Sequence, residues 1–262
     1  MTASSSHSRH AVILAAGKGT RMKSDLPKVA MPLAGKPMVE HVLDELLPLH
    51  LESLILVVGY RSEVVEEIAN SWQSKHTDAP KIQFAIQAEQ KGTAHAFLQA
   101  EAALEGRSGL VLVTAGDMPL LRTGSIDRLF SEAADTKTGV AGAVLSAHLN
   151  RPKGYGRMVR DEADNLLKIV EEKDADDTIK AINEVNTGCY VFQIPEIFNI
   201  LKKIDSNNNQ NEYYLPDAIK IYRDLNRPFR CVLLDDHRES LGANTQEDLL
   251  HLEEIYSQMN QP

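Results

Sequence analysis

The chain has 262 residues, of which 43% are hydrophobic and 25% charged, with a formal net charge of −9. This balance is typical of a globular protein with a sizeable core, and the negative charge argues against non-specific binding to nucleic acid or to an anionic membrane. Two cysteines, Cys189 and Cys231, exclude a disulfide framework or a metal knuckle and are expected to be small buried side chains in strands. No apolar run approaches the roughly 20 residues of a membrane helix, so we expect a cytoplasmic protein.

The first half of the chain alternates strands and helices. Short apolar runs predict strands at 11–14, 54–58, 82–86 and 110–114. Apolar residues at helical spacing predict helices at 38–47, 63–72 and 93–104, with Thr93 as the cap of the third. Such alternation is typical of an α/β fold, here a Rossmann-like, doubly wound, mainly parallel mixed sheet. The loops after Leu14, Ile86 and Thr114 would then share the carboxyl edge of the sheet, where ligands bind.

The second half changes in rhythm. It predicts strands at 140–147, 189–192 and 230–234, a hairpin leading into 166–171, and helices at 197–204, 213–222 and 246–259. A smaller β subdomain on the large lobe fits this pattern better than two independent domains. We expect a flexible tail over 1–10, one domain over 11–244 and a C-terminal helix over 245–262.

The stretch AVILAAGKGTRMKSDLPK, residues 11–28, carries the strongest local signal. Its glycines let the backbone approach a ligand, Arg21 offers a planar fork for phosphate and Lys28 a compact positive charge. It lacks the third glycine of a dinucleotide fingerprint and does not match the Walker pattern. We therefore predict a nucleoside triphosphate held at the end of the first strand, the alternative being a glycine-rich turn with solvated basic residues.

An ordered series of motifs resembles the sugar-1-phosphate nucleotidyltransferases, and most of all the uridylyltransferase domain of bacterial bifunctional N-acetylglucosamine-1-phosphate uridylyltransferase/glucosamine-1-phosphate acetyltransferases. After residues 14–28 the matching segments are QAEQ at 87–90 with Gly92-Thr93, GDMPL at 116–120, GYGR at 154–157, IVEEKDA at 169–175, EVNTG at 184–188, NNNQ at 207–210 with EYYL at 212–215, and GAN at 242–244. The resemblance implies the nucleotide-diphospho-sugar transferase fold and places the smaller β subdomain on the sugar side. It implies UTP and N-acetylglucosamine-1-phosphate as substrates and Mg²⁺ as cofactor.

Carried over position by position, the resemblance implies a role for each matched residue. Catalytic charges would come from Arg21 and Lys28, and Mg²⁺ ligands from Asp117 and Asn244. The implied nucleotide contacts are Leu14, Ala15, Ala16, Gly17, Lys28, Gln87, Gly92, Thr93 and Gly116. The implied sugar contacts are Gly154, Glu171 and Asn186.

The chemistry of these residue types agrees with such roles. Two polyanions must meet, so cations have to neutralise the charge that develops on the phosphate oxygens. Mg²⁺ prefers oxygen ligands and keeps waters, so one carboxylate and one amide suffice beside the phosphates. The side chain of Gln87 has a donor and an acceptor, which suits a uracil edge better than a purine.

Ordinary structural roles compete with several assignments. Asp117 could cap a turn, Asn244 could be only a helix N-cap, Asn186 a turn residue, and Glu171 one of a solvated run of charges. His95 is expected to be structural. Open alternatives are another sugar phosphate or base, such as glucose-1-phosphate or cytidylyl transfer to a molybdopterin, and a non-catalytic nucleotide-sugar sensor.

The chain departs from the family pattern at two places. Ala115 stands where an aromatic residue commonly precedes Gly-Asp. No hexapeptide repeat of the kind that builds a left-handed β-helix follows up to Pro262, so acetyl transfer from acetyl-CoA is not expected.

Overall fold

The computed structural model describes residues 7–22, 24–135 and 138–260. Within this part of the chain, no helix is both long and apolar enough to cross a bilayer. Residues 1–6 of the predicted tail lie outside the described residues, whereas Arg9 and His10 already belong to the first strand.

The strands alternate with helices as predicted in the first half. In chain order the strands are β1 Arg9–Ala15, β2 Pro32–Leu33, β3 Lys36–Pro37, β4 Ser53–Val58, β5 Ile82–Ile86, β6 Gly109–Ala115, β7 Gly142–His148, β8 Arg157–Arg160, β9 Leu166–Val170, β10 Glu184–Ile194 and β11 Phe229–Leu233. The helices are α1 Met38–Leu46, α2 Ser62–Lys75, α3 Thr93–Leu98, α4 Thr123–Ala133, α5 Asp177–Lys180, α6 Glu196–Leu201, α7 Asp217–Asp224 and α8 Gln246–Met259.

The central sheet has the strand order β11-β7-β10-β6-β1-β4-β5. All neighbours are parallel except β10, which is antiparallel to both β6 and β7. β4 reads Ser-Leu-Ile-Leu-Val-Val and is buried at every position, as a strand covered by helices on both faces should be. The predicted Rossmann-like, mainly parallel mixed sheet is confirmed.

Two apolar clusters cover the two faces of this sheet. One contains the inward faces of α1, α2 and α4, with Trp72 and Phe130 among its largest members. The other contains those of α3, α6 and α7, with Phe97 and Tyr222. A doubly wound sheet needs helices on both faces, and the chain supplies them.

The hairpin of β8 and β9 branches from the main sheet. β8 pairs with β9 and meets β10 where Arg157 lies opposite Val185. The smaller β subdomain is therefore joined to the main sheet through β10 rather than set apart from it.

The final helix is seated on a third, smaller apolar cluster. Leu252 and Ile255 of α8 pack there with Met22, Leu33 and Leu120. These partners come from the segment after β1 and the loop after β6. The start of α8 is thereby brought to the loops in which the candidate site was predicted.

Several element boundaries differ from the prediction. The helix expected at 93–104 ends at Leu98, and its N-cap is Gly92 rather than Thr93. The helix expected at 213–222 begins at Asp217, because the backbone of Tyr213 pairs instead with Lys91 O (2.8 Å) and Ala94 N (2.9 Å). Helix α4 was not predicted at all.

Candidate active site

The loops predicted to carry the site meet at one edge of the sheet. β1, β5, β6 and β11 all end there, and the antiparallel β10 begins there. The segments 15–28, 87–93, 116–120, 184–188 and 234–244 thus lie along the same edge. This is the place where α/β sheets bind their ligands.

Lys28 is the centre of a cluster of charged and polar side chains. Its ammonium contacts the carboxylate of Asp117 and donates a hydrogen bond to Asn244 Oδ1 at 2.7 Å. Arg21 Nη2 donates to the same oxygen at 3.0 Å. The Lys28 and Asp117 side chains are only 16% and 20% exposed, so water screens their charges little. Two predicted cations and two predicted metal ligands, far apart in sequence, are brought together.

The turn after β1 holds Lys28 in place. Gly19 has φ +62°, and a Cβ on it would lie 2.7 Å from Lys28 Cβ, so only glycine fits against the lysine stem. Met22 N closes the turn by donating to Gly19 O at 2.9 Å. Gly17 is exposed, and a Cβ there would meet no described atom within 4 Å. Close packing against Lys28 therefore requires glycine at position 19, whereas the backbone of Gly17 is exposed at this edge of the sheet.

The other predicted nucleotide contacts near β1 are mostly covered by protein. Ala15 and Ala16 are buried and Leu14 is half-buried. Gly116 N donates to Leu14 O at 2.9 Å, and a Cβ on Gly116 would lie 3.1 Å from Val29 Cγ1. Gly116 thus has a packing role between the ends of β1 and β6.

Asn244 is not the cap of the final helix. Thr245 is the N-cap, with a complete capping box: Asp248 N donates to Thr245 Oγ1 at 3.1 Å, and Thr245 N donates to Asp248 Oδ2 at 2.9 Å. Asn244 N donates to the same carboxylate at 2.8 Å. The Asn244 side chain is therefore released from capping and points to Lys28 and Arg21.

A crevice of about 690 Å³ opens beside this cluster. Lys153, Gly154 and Tyr155 line it along with the cluster itself. Burial raises the pKa of Tyr155 to about 12, with Asp117 adding to the shift, so its hydroxyl remains a neutral donor. Another cavity, of about 570 Å³, lies near the opposite edge of the sheet and is lined by none of the predicted residues.

Gln87 and Gly92 lie on the β5 side of the edge. Gln87 is buried, and its Nε2 donates to Gly92 O at 3.2 Å. Gly92 has φ +105°, and a Cβ on it would lie 2.5 Å from Tyr213 O. The hydroxyl of Thr93 accepts from Leu215 N at 3.0 Å, which corrects its predicted capping role.

The segment around Gln87 is tied to the loop after β1. Gln90 Nε2 donates to Ala16 O at 3.1 Å. A Cβ on Gly59 would lie 2.9 Å from Gln87 O and 3.0 Å from Ala16 O, so these backbones nearly touch. The segment around Gln87 and the loop after β1 thus form one continuous surface.

The predicted sugar contacts lie on the other side, around Gly156. Asn186 N donates to Gly156 O at 2.9 Å, and the carboxylate of Glu171 lies over the same glycine, with Oε1 3.2 Å from the position of a Cβ. Burial raises the pKa of Glu171 to about 7, and Asp174 and Asp217 add to the shift. Glu171 is thus a mostly buried carboxyl and does not lie on a solvated face.

Asn186 is the turn residue considered as an alternative for it, and it also lies beside Gly156. Its Oδ1 accepts from Gly188 N at 3.0 Å, which is a local turn, and the residue is buried at the start of β10. Gly154 has φ +89°, lines the crevice, and has no described atom within 4 Å of a would-be Cβ. The three predicted sugar residues therefore border the same region.

The crevice residues that the sequence reasoning missed include Lys153, Tyr155 and Asp248. Lys153 and Tyr155 flank Gly154, and Asp248 supports Asn244. The signal for Asp248 was present, since Thr245-x-x-Asp248 is a capping-box spacing. Nothing in the local sequence marks Lys153 as more than a surface cation.

The donor set at this edge is limited. Within the described ranges, no three His, Cys, Asp or Glu side chains are grouped as a ligand set for a metal ion. Asp117 and Asn244 do place one carboxylate and one amide oxygen against a single cation, the Lys28 ammonium. Two oxygens that share one cation in this way fit a hard metal ion that takes its other ligands from phosphate and water.

Sequence similarity to known proteins gives support that does not depend on this geometry. A family model described as the MobA-like NTP transferase domain matches residues 11–185. The Bifunctional protein GlmU of Oceanobacillus iheyensis is 41% identical over 247 residues, which cover 94% of this chain and 52% of that protein. The GlmU proteins of an Exiguobacterium species and of Bacillus velezensis are 43% and 42% identical, again over 94% of this chain. The chain spans about half the length of these curated relatives.

Proposed function

Because the chain belongs to the MobA-like NTP transferase family, we propose that it transfers a uridylyl group from UTP to N-acetylglucosamine-1-phosphate. A phosphate oxygen of the sugar phosphate attacks the α-phosphorus of UTP, the bond to the β-phosphate oxygen breaks, and pyrophosphate leaves. The observation that carries this proposal is the convergence of Arg21, Lys28, Asp117 and Asn244 beside the 690 Å³ crevice. The GlmU relatives support the choice of substrates.

Lys28 and Arg21 neutralise the triphosphate. The reaction brings two polyanions together, and its barrier is largely electrostatic. Lys28 is held by Asp117 and Asn244 before any ligand arrives, so little reorganisation is needed when charge develops on the bridging oxygen. Arg21 reaches the same point and can donate two parallel hydrogen bonds to a phosphate.

Asp117 and Asn244 are our proposed ligands for Mg²⁺. When bound, the ion would supply positive charge at the α-phosphate and draw its remaining ligands from phosphate and water. The chain itself would hold the two ligand oxygens in place. A Cβ on Gly242 would lie 2.7 Å from Asp117 O, so the two backbones are in close contact, and the α8 capping box fixes the backbone of Asn244.

Each of the two substrates would be recognised at a different end of this edge of the sheet. We place the triphosphate over Leu14 to Gly17 and Gly116, with the base at Gln87, Gly92 and Thr93. We place the sugar phosphate in the crevice beside Gly154, with Glu171 and Asn186, which lie next to it around Gly156, as its further proposed contacts. Direct displacement requires no covalent nucleophile from the protein.

Pyrophosphate release tests the proposal directly. Four nucleoside triphosphates are paired with a panel of sugar-1-phosphates, and UTP with N-acetylglucosamine-1-phosphate should give the highest kcat/KM. Preference for another sugar or base would replace the substrates, and a protein that binds UTP without releasing pyrophosphate from any pair would be a sensor.

A pair of lysine variants tests the role of the cluster. Lys28→Ala should lower kcat strongly with a smaller change in the KM for the sugar phosphate. Lys18→Ala is the control, because Lys18 is exposed in the same loop and its ammonium lies 5.2 Å from the ring centroid of Tyr60. Equal losses in the two variants would show a diffuse effect of charge and refute the role of Lys28.

A further inference from the structure

The side-chain amide of Gln87 is held in one orientation. Gln87 is 3% exposed, and its Nε2 lies 3.2 Å from Gly92 O. A backbone carbonyl only accepts hydrogen bonds, so the NH₂ group rather than the oxygen must face it. The amide therefore cannot be turned over without placing two oxygens against each other.

His95 accepts the second hydrogen of the same amide. Its Nδ1 lies 3.1 Å from Gln87 Nε2, whereas Nε2 lies 3.4 Å from the NH₂ group of Gln99. A neutral imidazole accepts at one nitrogen only, and the shorter contact assigns the acceptor to Nδ1 and the ring proton to Nε2. His95 is on α3, and Gln99 Nε2 donates to His95 O at 2.9 Å from one turn further along. Both hydrogens of the Gln87 amide are thus engaged, one by Gly92 and one by His95.

Gln87 Oε1 is the atom left over. Among the described residues it makes no hydrogen bond, and it is not one of the unpartnered oxygens sealed from solvent. An acceptor with no donor of its own is thereby presented at the base side of the edge. Its counterpart on a ligand has to be a hydrogen-bond donor.

We propose that His95 is a positioning residue that sets base selectivity by keeping Gln87 Oε1 toward the ligand. This inference rests on the proposed uridylyl transfer. Uracil has an imino N–H at ring position 3, which Oε1 can accept, whereas cytosine has a lone pair there. A cytosine in the same pose would face Oε1 with a second acceptor and leave two buried polar atoms unpaired, which is the strongest form of discrimination.

Without the acceptor on His95, only Gly92 O still opposes turning of the Gln87 amide, so the turned amide costs less than in the wild-type protein. With one of its two anchors lost, Gln87 can offer NH₂ to the lone pair of cytosine. His95→Phe keeps a ring beside Tyr213, whose centroid is 6.5 Å away, and removes Nδ1. We expect the UTP/CTP ratio of kcat/KM to fall by about tenfold to a hundredfold, with part of the change a gain for CTP.

Two matched variants separate positioning from packing. His95→Asn places an amide oxygen near the former Nδ1 and should retain the wild-type ratio. Gln99→Ala removes the neighbour on the other side of the ring, 3.4 Å from Nε2, without touching Nδ1, and should also retain it. Calorimetric binding of UDP and CDP to the same proteins gives a second measure of the ratio without catalysis.

The outcomes distinguish this inference from the proposed function. Wild-type protein that prefers CTP or a purine would overturn both. Wild-type protein that prefers UTP, with the ratio unchanged in His95→Phe or with both nucleotides weakened equally, would overturn the inference alone. His95→Leu is the second acceptor-free variant should His95→Phe fail to fold, and failure of His95→Asn to retain the ratio in a folded protein would also refute the inference.

Discussion

Glu171 should make both folding and sugar binding depend on pH near neutrality. Its carboxyl lies over Gly156 in a mostly buried position, and its pKa is raised from 4.5 to about 7. Burial is the largest cause, and the nearby Asp174, Asp217 and Glu212 add to it, while Arg157 opposes it. The folded protein thus holds a proton on Glu171 at pH values where the unfolded chain has lost it.

The sign and size of the effect follow from linkage. A carboxyl whose pKa is raised in the folded state favours folding fully below its unfolded pKa of 4.5, and this advantage is lost as pH rises to about 7. At about 1.4 kcal/mol per pKa unit, the rise of the Glu171 pKa from 4.5 to about 7 corresponds to about 3 kcal/mol of folding free energy. We therefore expect the loss of stability to accumulate between pH 4.5 and 7 and to stay constant above that range.

Urea unfolding of Glu171→Gln against wild type measures this directly. The free energy of unfolding of the variant, relative to wild type, should rise by about 3 kcal/mol between pH 4.5 and 8. Glu162→Gln is the control, since Glu162 is exposed in the turn between β8 and β9. A difference that does not change with pH, or that changes equally in the control, would refute the assignment of the raised pKa to Glu171.

Sugar binding should show the opposite trend. If the ionised carboxylate accepts a hydroxyl of the sugar, the KM of wild type for the sugar phosphate should fall between pH 6 and 8. The variant should have a higher KM that lacks this component, and comparison of the two cancels the titration of the substrate's own phosphate. A parallel pH dependence in both proteins would show that Glu171 does not contact the sugar.

Three further outcomes can be checked on the same assays. Gly92→Ala should lower the melting temperature, because Gly92 has φ +105° and a Cβ there would lie 2.5 Å from a backbone oxygen. The strain should cost about 1–3 kcal/mol of folding stability. Gly17→Ala should leave the melting temperature unchanged and lower kcat if the triphosphate lies on that loop. Thr245→Ala should lower the free energy of unfolding in urea by about 1 kcal/mol and leave the Mg²⁺ requirement unchanged. Asn244→Ala should raise the Mg²⁺ concentration needed for half-maximal rate while the helix cap stays intact. Identical effects of the two variants would contradict our division of roles. Gln87→Ala should lower the UTP/CTP ratio of kcat/KM by about tenfold to a hundredfold, and a retained ratio would place base reading elsewhere.

The order and type of most elements could be predicted from the chain alone. An apolar run as short as Leu54 to Val58, rich in β-branched residues and followed by Gly59, favours a strand buried on both faces, and the alternation of such runs with helical spacings implies a parallel sheet. A parallel sheet in turn puts the loops after β1, β5 and β6 at one edge, which is why the candidate residues on these loops were expected to lie together. Helix α4 was also readable, since Ile126, Leu129, Phe130 and Ala133 repeat at helical spacing.

Contacts between distant segments were decided only by the tertiary structure. The start of α7 moved because Tyr213 bonds to the loop before α3, which no local propensity encodes. The capping-box spacing of Thr245 and Asp248 favours Thr245 over Asn244 as the N-cap, but the contact of Asn244 with Lys28, 216 residues away, has no local signal. The burial of Glu171 is equally invisible in its charged local sequence. The spacing of apolar residues is a property of the chain alone, and the sheet and its ligand edge follow from that spacing. The charge state and orientation of each side chain on that edge depend on neighbours that only packing supplies.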